Sequence, residues 1–350
     1  MGFGVYLSPW DRNAPVYGDS VKYNDFFTAQ LTELLTRYGT IDELWFDGAN
    51  GEGPNGKKQW YDFNRWYQLI RKLQPAAVIA VMGPDVRWVG TETGIGRLTE
   101  WSVLPLNAAS QKELAENSQQ EVNVKPAITG SFKDSVRGSR EQLYSSRGLV
   151  WYPAETDVSI RPGWFYHPAE NSKVKSPENL MHIYLTSVGR NGVLLLNVPP
   201  DTEGLINAAD VKALEGWKQL FDNTFTKNLL QNARFQNKKG ASVAGFTDGK
   251  LSTYVTTQQV TALLPAQISF NLIKLQENIA LGQHIEQFTV EAWIDGSWQT
   301  IAEGTTVGYK RLLKLNKTIT TNKIRFSIPA TRATPLLRNL GYTPPHLINT

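Results

Sequence analysis

Glu43-Leu44-Trp45-Phe46-Asp47-Gly48-Ala49-Asn50 is the stretch on which the reading of this chain turns. From Leu44 to Asp47 an apolar run ends in a single carboxylate, and a glycine-rich segment through Gly56 follows at once. A short apolar run bounded by turn residues reads as a buried strand of a parallel sheet. An acid at the end of such a strand stands where parallel α/β folds place their chemistry, at the carboxyl edge of the sheet. The same Asp47 would also serve as an Asx-turn cap on the loop, so position alone leaves both readings open.

Working outward, Phe3 to Ser8 reads as the preceding strand, and Pro9, Pro15 and Gly18 mark a loop. A helix near 23–38 shows Phe27, Leu31, Leu34 and Tyr38 in phase, and Gly39 ends it. A second helix near 60–73 carries Trp60, Phe63, Tyr67 and Ile70 in phase, closed by Pro75. Ala77 to Met82 is the next strand. Residues 107–147 are polar with few apolar anchors, which predicts a long surface excursion. Leu149-Val150-Trp151-Tyr152 resumes the sheet and leads to Glu155. Ser176-Pro177 opens a helix running to about Val188, Val193 to Val198 is a strand, and Val211 to Phe221 is a last helix. Strands alternating with helices predict an α/β fold with a parallel sheet, either doubly wound or part of an eight-stranded barrel.

After about residue 225 the texture changes. Gln267–Leu272, Phe288–Ile294 and Lys323–Ile328 alternate apolar and polar residues, and Asp295-Gly296 is a turn. This pattern predicts an antiparallel β-sandwich as a second domain, 225–350, after a first domain of 1–224.

Composition narrows the chemistry. The net charge of +4 is thinly spread, with Lys238-Lys239 the densest basic cluster, so no nucleic-acid footprint is present. No apolar run approaches the ~20 residues that span a bilayer. With no cysteine and four scattered histidines, neither a thiolate site nor a zinc cluster is expected, and no cofactor motif opens any helix. Eleven Trp and thirteen Tyr suit a protein that stacks rings on sugar faces, although core filling is the plainer account of any single one of them.

Glycoside hydrolysis needs two carboxylates flanking one bond, one to attack or activate water and one to protonate the leaving oxygen. Asp47 is the first candidate. The loop after Met82 offers Asp85 and Glu92, and Glu92 follows Trp88, an aromatic that would lower local polarity and raise a carboxyl pKa. A solvated loop position is the plainer reading of Glu92. Glu155, also placed at a strand's carboxyl end, is a third candidate.

Phe46-Asp47-Gly48 after Leu44-Trp45, with Tyr6-Leu7-Ser8-Pro9-Trp10-Asp11 on the preceding strand, resembles the alpha-L-fucosidases of glycoside hydrolase family 29. Arg87–Glu92, Ser159–His167 and Ser187–Asn197 are similar to further blocks of that family, in the family's order, and are most similar to its branch acting on alpha-1,3/1,4-linked fucose. The resemblance implies a retaining exo-hydrolase of fucosylated glycans, with Asp47 as nucleophile and Glu92 as acid/base. It implies that Tyr6 and Trp164 line the fucose pocket, and it places Arg87, Trp88 and Glu155 in matching blocks as substrate-binding candidates. It calls for no metal and no cofactor, and implies a periplasmic or secreted protein, although no signal peptide is visible here.

The chain also departs from the family. Members open with further barrel strands carrying a histidine pair that holds the sugar hydroxyls, and no His-His occurs here. The expectation is an incomplete (β/α)8-type barrel followed by a β-sandwich. Its open edges would expose Leu7, Leu194 and Leu196 and favour self-association. The competing reading is a catalytically impaired fragment or a carbohydrate-binding protein built on a glycosidase barrel.

Overall fold

The computed structural model describes residues 1–106 and 137–344. These fall into two compact units, 1–88 with 102–155, and 89–101 with 156 onward. Most of the polar stretch 107–147 lies outside the described residues.

In the first unit, β1 (Gly4–Tyr6), β2 (Glu43–Phe46) and β3 (Val78–Val81) run parallel, with Tyr6 opposite Trp45 and Trp45 opposite Ala80. The crossovers are α1 (Ser20–Arg37) and α2 (Phe63–Leu73). Each begins where an aspartate caps it: Asp19 accepts the Lys22 N–H and Asp62 the Arg65 N–H. Tyr23, Phe27, Leu31 and Leu35 of α1 and Phe63, Trp66, Tyr67 and Ile70 of α2 are buried, with Phe27 and Trp66 rings 4.1 Å apart. Because the Asp62 cap sets the start of α2 at Phe63, Trp60 falls in the loop and is exposed, unlike the helical position expected for it. Tyr38 likewise lies past the end of α1 and is exposed.

The strand β4 (Arg87–Trp88) follows β3 through a parallel bridge of Ala80 with Val86. Here the structure corrects the expectation for 149–152. Strand β6 (Gly148–Trp151) pairs antiparallel with β5 (Val103–Leu106), beside the short helix α3 (Arg140–Tyr144), and Leu149 and Trp151 on its outer face are exposed. The parallel strand is instead β7 (Ala154–Ser159), whose first residues pair with β4, Arg87 opposite Ala154 and Trp88 opposite Glu155. All six β7 side chains are buried although most are polar, so no apolar run announced the strand. Glu155 is therefore its second residue, not the end of a strand.

In the second unit, the later part of β7 lies beside β8 (Val193–Asn197), where Thr156 Oγ1 donates to the Val193 carbonyl. The helices α4 (Pro177–Thr186) and α5 (Ala208–Phe225) pack together, and the Ser176 hydroxyl caps α4 ahead of a proline at its first position. From Arg234 on, every strand pairing among the described residues is antiparallel. Two long strands organise this region, β12 (Gln259–Glu277) and β15 (Arg311–Thr331). Around them lie β9 (Arg234–Asn237), β10 (Ser242–Val243), β11 (Val255–Thr256), β13 (Ile285–Ile294), β14 (Ser297–Gly304) and β16 (Leu336–Thr343). Phe270, Phe288, Phe326, Leu337 and Tyr342 belong to one apolar core there. Trp293 and Trp298 stand outside that core, packed edge to face at 5.4 Å.

The side chains expected at open edges are different ones from those exposed. Leu7 packs against the first core and Leu196 against Ile160 and Leu180, while Leu194 is half-buried. Tyr6 on β1, Phe3 just ahead of that strand, and Val193 and Leu195 on β8 are the exposed ones. Strand parity decides this for Tyr6, Val193 and Leu195, because successive side chains face opposite ways.

Candidate active site

Asp47 follows β2 directly and is half-buried. Its Oδ2 accepts the Tyr6 hydroxyl at 2.6 Å, and its Oδ1 accepts the Ala49 N–H at 2.8 Å. The second contact is the Asx-turn allowed by the sequence, and the first leaves the same carboxylate engaged with the neighbouring strand. Burial of the hydroxyl, then the hydrogen bond and charge of Asp47, raise the Tyr6 phenol well above its ordinary value. Since more than half of Tyr6 faces solvent, the carboxylate is the more durable of these causes. Tyr6 remains a proton donor to Asp47 at any physiological pH.

The glycine-rich loop after Asp47 is held from beneath. Tyr17 donates its hydroxyl to the Gly51 carbonyl at 2.9 Å and meets the Tyr61 hydroxyl at 2.9 Å, and Tyr61 donates to the Ala49 carbonyl. Gly51 has no room for a side chain, because an added Cβ would lie 2.3 Å from the Trp10 ring.

A tryptophan not singled out from the sequence joins this group. The Trp45 ring stacks on Tyr6 at 5.2 Å, and its Nε1–H donates to Glu155 Oε1 at 2.5 Å. Trp45 and Asp47 are two residues apart, so they share a strand face, and that period was the available signal. Tyr6, Trp45, Asp47 and Glu155 thus form one contiguous group. Arg87 is buried, with Nε donating to the Tyr152 carbonyl at 3.1 Å, and Trp88 stands opposite Glu155. Asp85 is committed elsewhere: it pairs with Arg71 and accepts the Ile79 N–H, which ties α2 to β3.

Glu92 and Trp164 lie in the second unit. Glu92 is exposed in the loop after β4, between Thr91 and Thr93 whose hydroxyls are 3.0 Å apart, as the solvated-loop reading has it. Trp164 is partly exposed on a turn held by Ser159, which donates to the Gly163 carbonyl, and by Asn197, which donates to the Trp164 carbonyl. Beneath the turn, Arg161 and Asp210 form a fully buried ion pair, bonded through Nε and Nη2, with Arg161 over the Tyr166 ring. Among the described residues no cluster of acids and histidines could hold a metal ion, and no described helix is long and apolar enough to cross a membrane.

This arrangement, a half-buried carboxylate beside aromatic rings and a second buried acid, suits attack on a sugar. The sequence profile of the alpha-L-fucosidase family matches residues 1–219. A relative from Oryza sativa subsp. japonica is 39% identical over 97% of this chain, and alpha-L-fucosidase 1 of Arabidopsis thaliana is 37% identical over 97%. The chain spans 63% and 65% of the length of these relatives. A Bacteroides ovatus crystal structure superposes with a TM-score of 0.83 at 46% identity, covering 100% of this chain and 57% of that one. A GH29 fucosidase of Ruminococcus gnavus in complex with fucose superposes with a TM-score of 0.81 at 26% identity, over 99% of this chain and 73% of that one. The chain belongs to the alpha-L-fucosidase family.

Proposed function

We propose that this chain carries the catalytic groups of a retaining alpha-L-fucosidase that removes terminal fucose, alpha-1,3/1,4-linked, from glycans. The observation that carries the reading is the Asp47 carboxylate, held by Tyr6 and by its own loop at the end of β2. Asp47 attacks the anomeric carbon as the bond to the leaving oxygen breaks, and Glu92 delivers the proton to that oxygen. Water then attacks the glycosyl-enzyme, Glu92 takes its proton, and Asp47 is released with the configuration retained. Tyr6 keeps Asp47 aimed, because a hydrogen-bonded carboxylate spends less entropy on reaching a productive rotamer. Trp164, with its exposed ring face, covers the apolar side of fucose around the C5 methyl group. Arg87, Trp88 and Glu155 complete the sugar-binding set, with Glu155 an acceptor for a sugar hydroxyl beside Trp45.

The parallel strands read as part of a (β/α)8 barrel spanning 1–224, and residues 225–350 as a sandwich domain. The implied place of work is the periplasm or the cell exterior, where fucosylated glycans are met.

The test is turnover of nitrophenyl alpha-L-fucoside and of fucosylated trisaccharides in both linkages, with NMR of the first-formed sugar. Alpha-fucose as first product, and loss of turnover in Asp47→Ala, would support the reading. First-formed beta-fucose would replace it with an inverting mechanism. Fucose binding without any turnover would leave a carbohydrate-binding protein instead.

A further inference from the structure

The segment 89–101 leaves β4, carries Glu92 near its start, and packs as part of the second unit. From Gly96 to Trp101 it is anchored almost residue by residue, and the anchors come from distant parts of the chain. Arg190 donates to the Gly96 carbonyl at 2.9 Å, and Arg311, the first residue of β15, donates to the Leu98 carbonyl at 2.7 Å. The Glu100 carbonyl accepts both Asn191 at 3.1 Å and Gln283 at 2.9 Å. The Glu100 N–H donates to Thr306 Oγ1 at 3.3 Å, and the Arg332 guanidinium lies 3.3 Å from the Trp101 ring centre. Thr91, Glu92 and Thr93 are exposed just ahead of this anchored stretch.

Two features make this more than loop packing. Arg190 and Arg311 are neighbours in an antiparallel bridge, and burial together with the nearby Arg190 charge pulls Arg311 down to about 10. Holding two like charges side by side in a poorly solvated place is costly, and each guanidinium is directed at a carbonyl of the Glu92 segment. In addition, four of the six anchors, Gln283, Thr306, Arg311 and Arg332, belong to the antiparallel-sheet region, which supplies none of the candidate catalytic groups.

We propose that the antiparallel-sheet region sets the position of Glu92, with Arg311 and Thr306 as positioning residues for the acid/base step. This rests on the reading of Glu92 given above. A sugar-binding appendage would have no reason to bind the backbone of that segment. A general acid, in contrast, must be placed within hydrogen-bond reach of the leaving oxygen.

The experiment is a leaving-group series on the full chain: phenyl against dinitrophenyl alpha-L-fucoside, with Glu92→Gln, Arg311→Met, Arg311→Lys and Thr306→Val. Dinitrophenolate departs without a proton, so loss of a placed acid weakens kcat/KM, which reports the step that breaks the aryl bond, only for the phenyl fucoside, while the later attack of water slows for both. Glu92→Gln should lower kcat/KM for the phenyl substrate by about 10²–10⁴-fold relative to the dinitrophenyl one. Arg311→Met should show the same selectivity at about tenfold, Arg311→Lys should recover part of it, and Arg311→Met should add nothing further in the Glu92→Gln background. Melting curves check folding, and if Arg311→Met does not fold, Thr306→Val and Arg311→Lys are read in its place. If Glu92→Gln shows no selective loss, or the wild-type chain turns over neither substrate, the reading of Glu92 falls. If Glu92→Gln is selective while the Arg311 and Thr306 variants lose both substrates equally or neither, the positioning role is overturned and the acid/base reading stands.

Discussion

The Tyr6 hydroxyl donates to Asp47 Oδ2 at 2.6 Å across two adjacent parallel strands, while the Tyr6 ring stacks on Trp45. Tyr6→Phe keeps the stack and removes only the donor. A hydrogen bond to a charged group is worth about 1.5–3 kcal/mol, so kcat/KM should fall by roughly 10–100-fold with little change in melting temperature. Unchanged kinetics would mean that Asp47 needs no such partner.

Asp47→Ala removes the proposed nucleophile. Residual turnover should be below about a hundredth of wild type, since losing a nucleophile costs several orders of magnitude. Azide added to the variant should partly restore it by attacking the opened site, with product of inverted configuration. Higher residual activity without azide would reassign the nucleophile.

Gly51→Ala should disturb the site without touching a reacting group. The added methyl would stand 2.3 Å from the Trp10 ring, so either that ring or the loop that Tyr17 and Tyr61 hold must shift. Turnover should fall by about tenfold or more, because small misplacements near reacting groups are costly. Wild-type kinetics in this variant would show that the loop does not govern Asp47.

Asp210→Asn breaks an ion pair in which both side chains are fully buried. Leaving Arg161 without its carboxylate should cost about 3–5 kcal/mol of stability, read as a lower urea midpoint at unchanged slope. Fucose affinity should weaken too, since Arg161 also donates to the His167 carbonyl and supports the turn bearing Trp164. A loss below about 1 kcal/mol would mean water replaces the carboxylate.

Phe3, just ahead of β1, and Leu195 on β8 expose apolar surface beside strands that pair on one side only among the described residues. Such edges favour association, so light scattering should show species larger than the 39.2 kDa chain. Leu195→Lys and Phe3→Lys should each reduce it. A monodisperse wild-type chain at high concentration would remove this expectation.

The strand-end placement of Asp47, the α1 and α2 crossovers and the switch to antiparallel sheet were all legible in the sequence. Each rests on patterns a few residues long: apolar runs, helical phase, caps and turns. Local pattern misled where polarity and burial part company. Ala154–Ser159 is a wholly buried strand of mostly polar residues, and partners such as Trp45 on Glu155, the Val193 carbonyl on Thr156 and the Gly163 carbonyl on Ser159 make that burial tolerable. Trp45 meets Glu155 across 110 residues, and Arg311 meets Leu98 across 213. No periodicity encodes such pairs. Tertiary structure decides them, because a buried donor or carbonyl must find its partner wherever the folded chain brings one within reach.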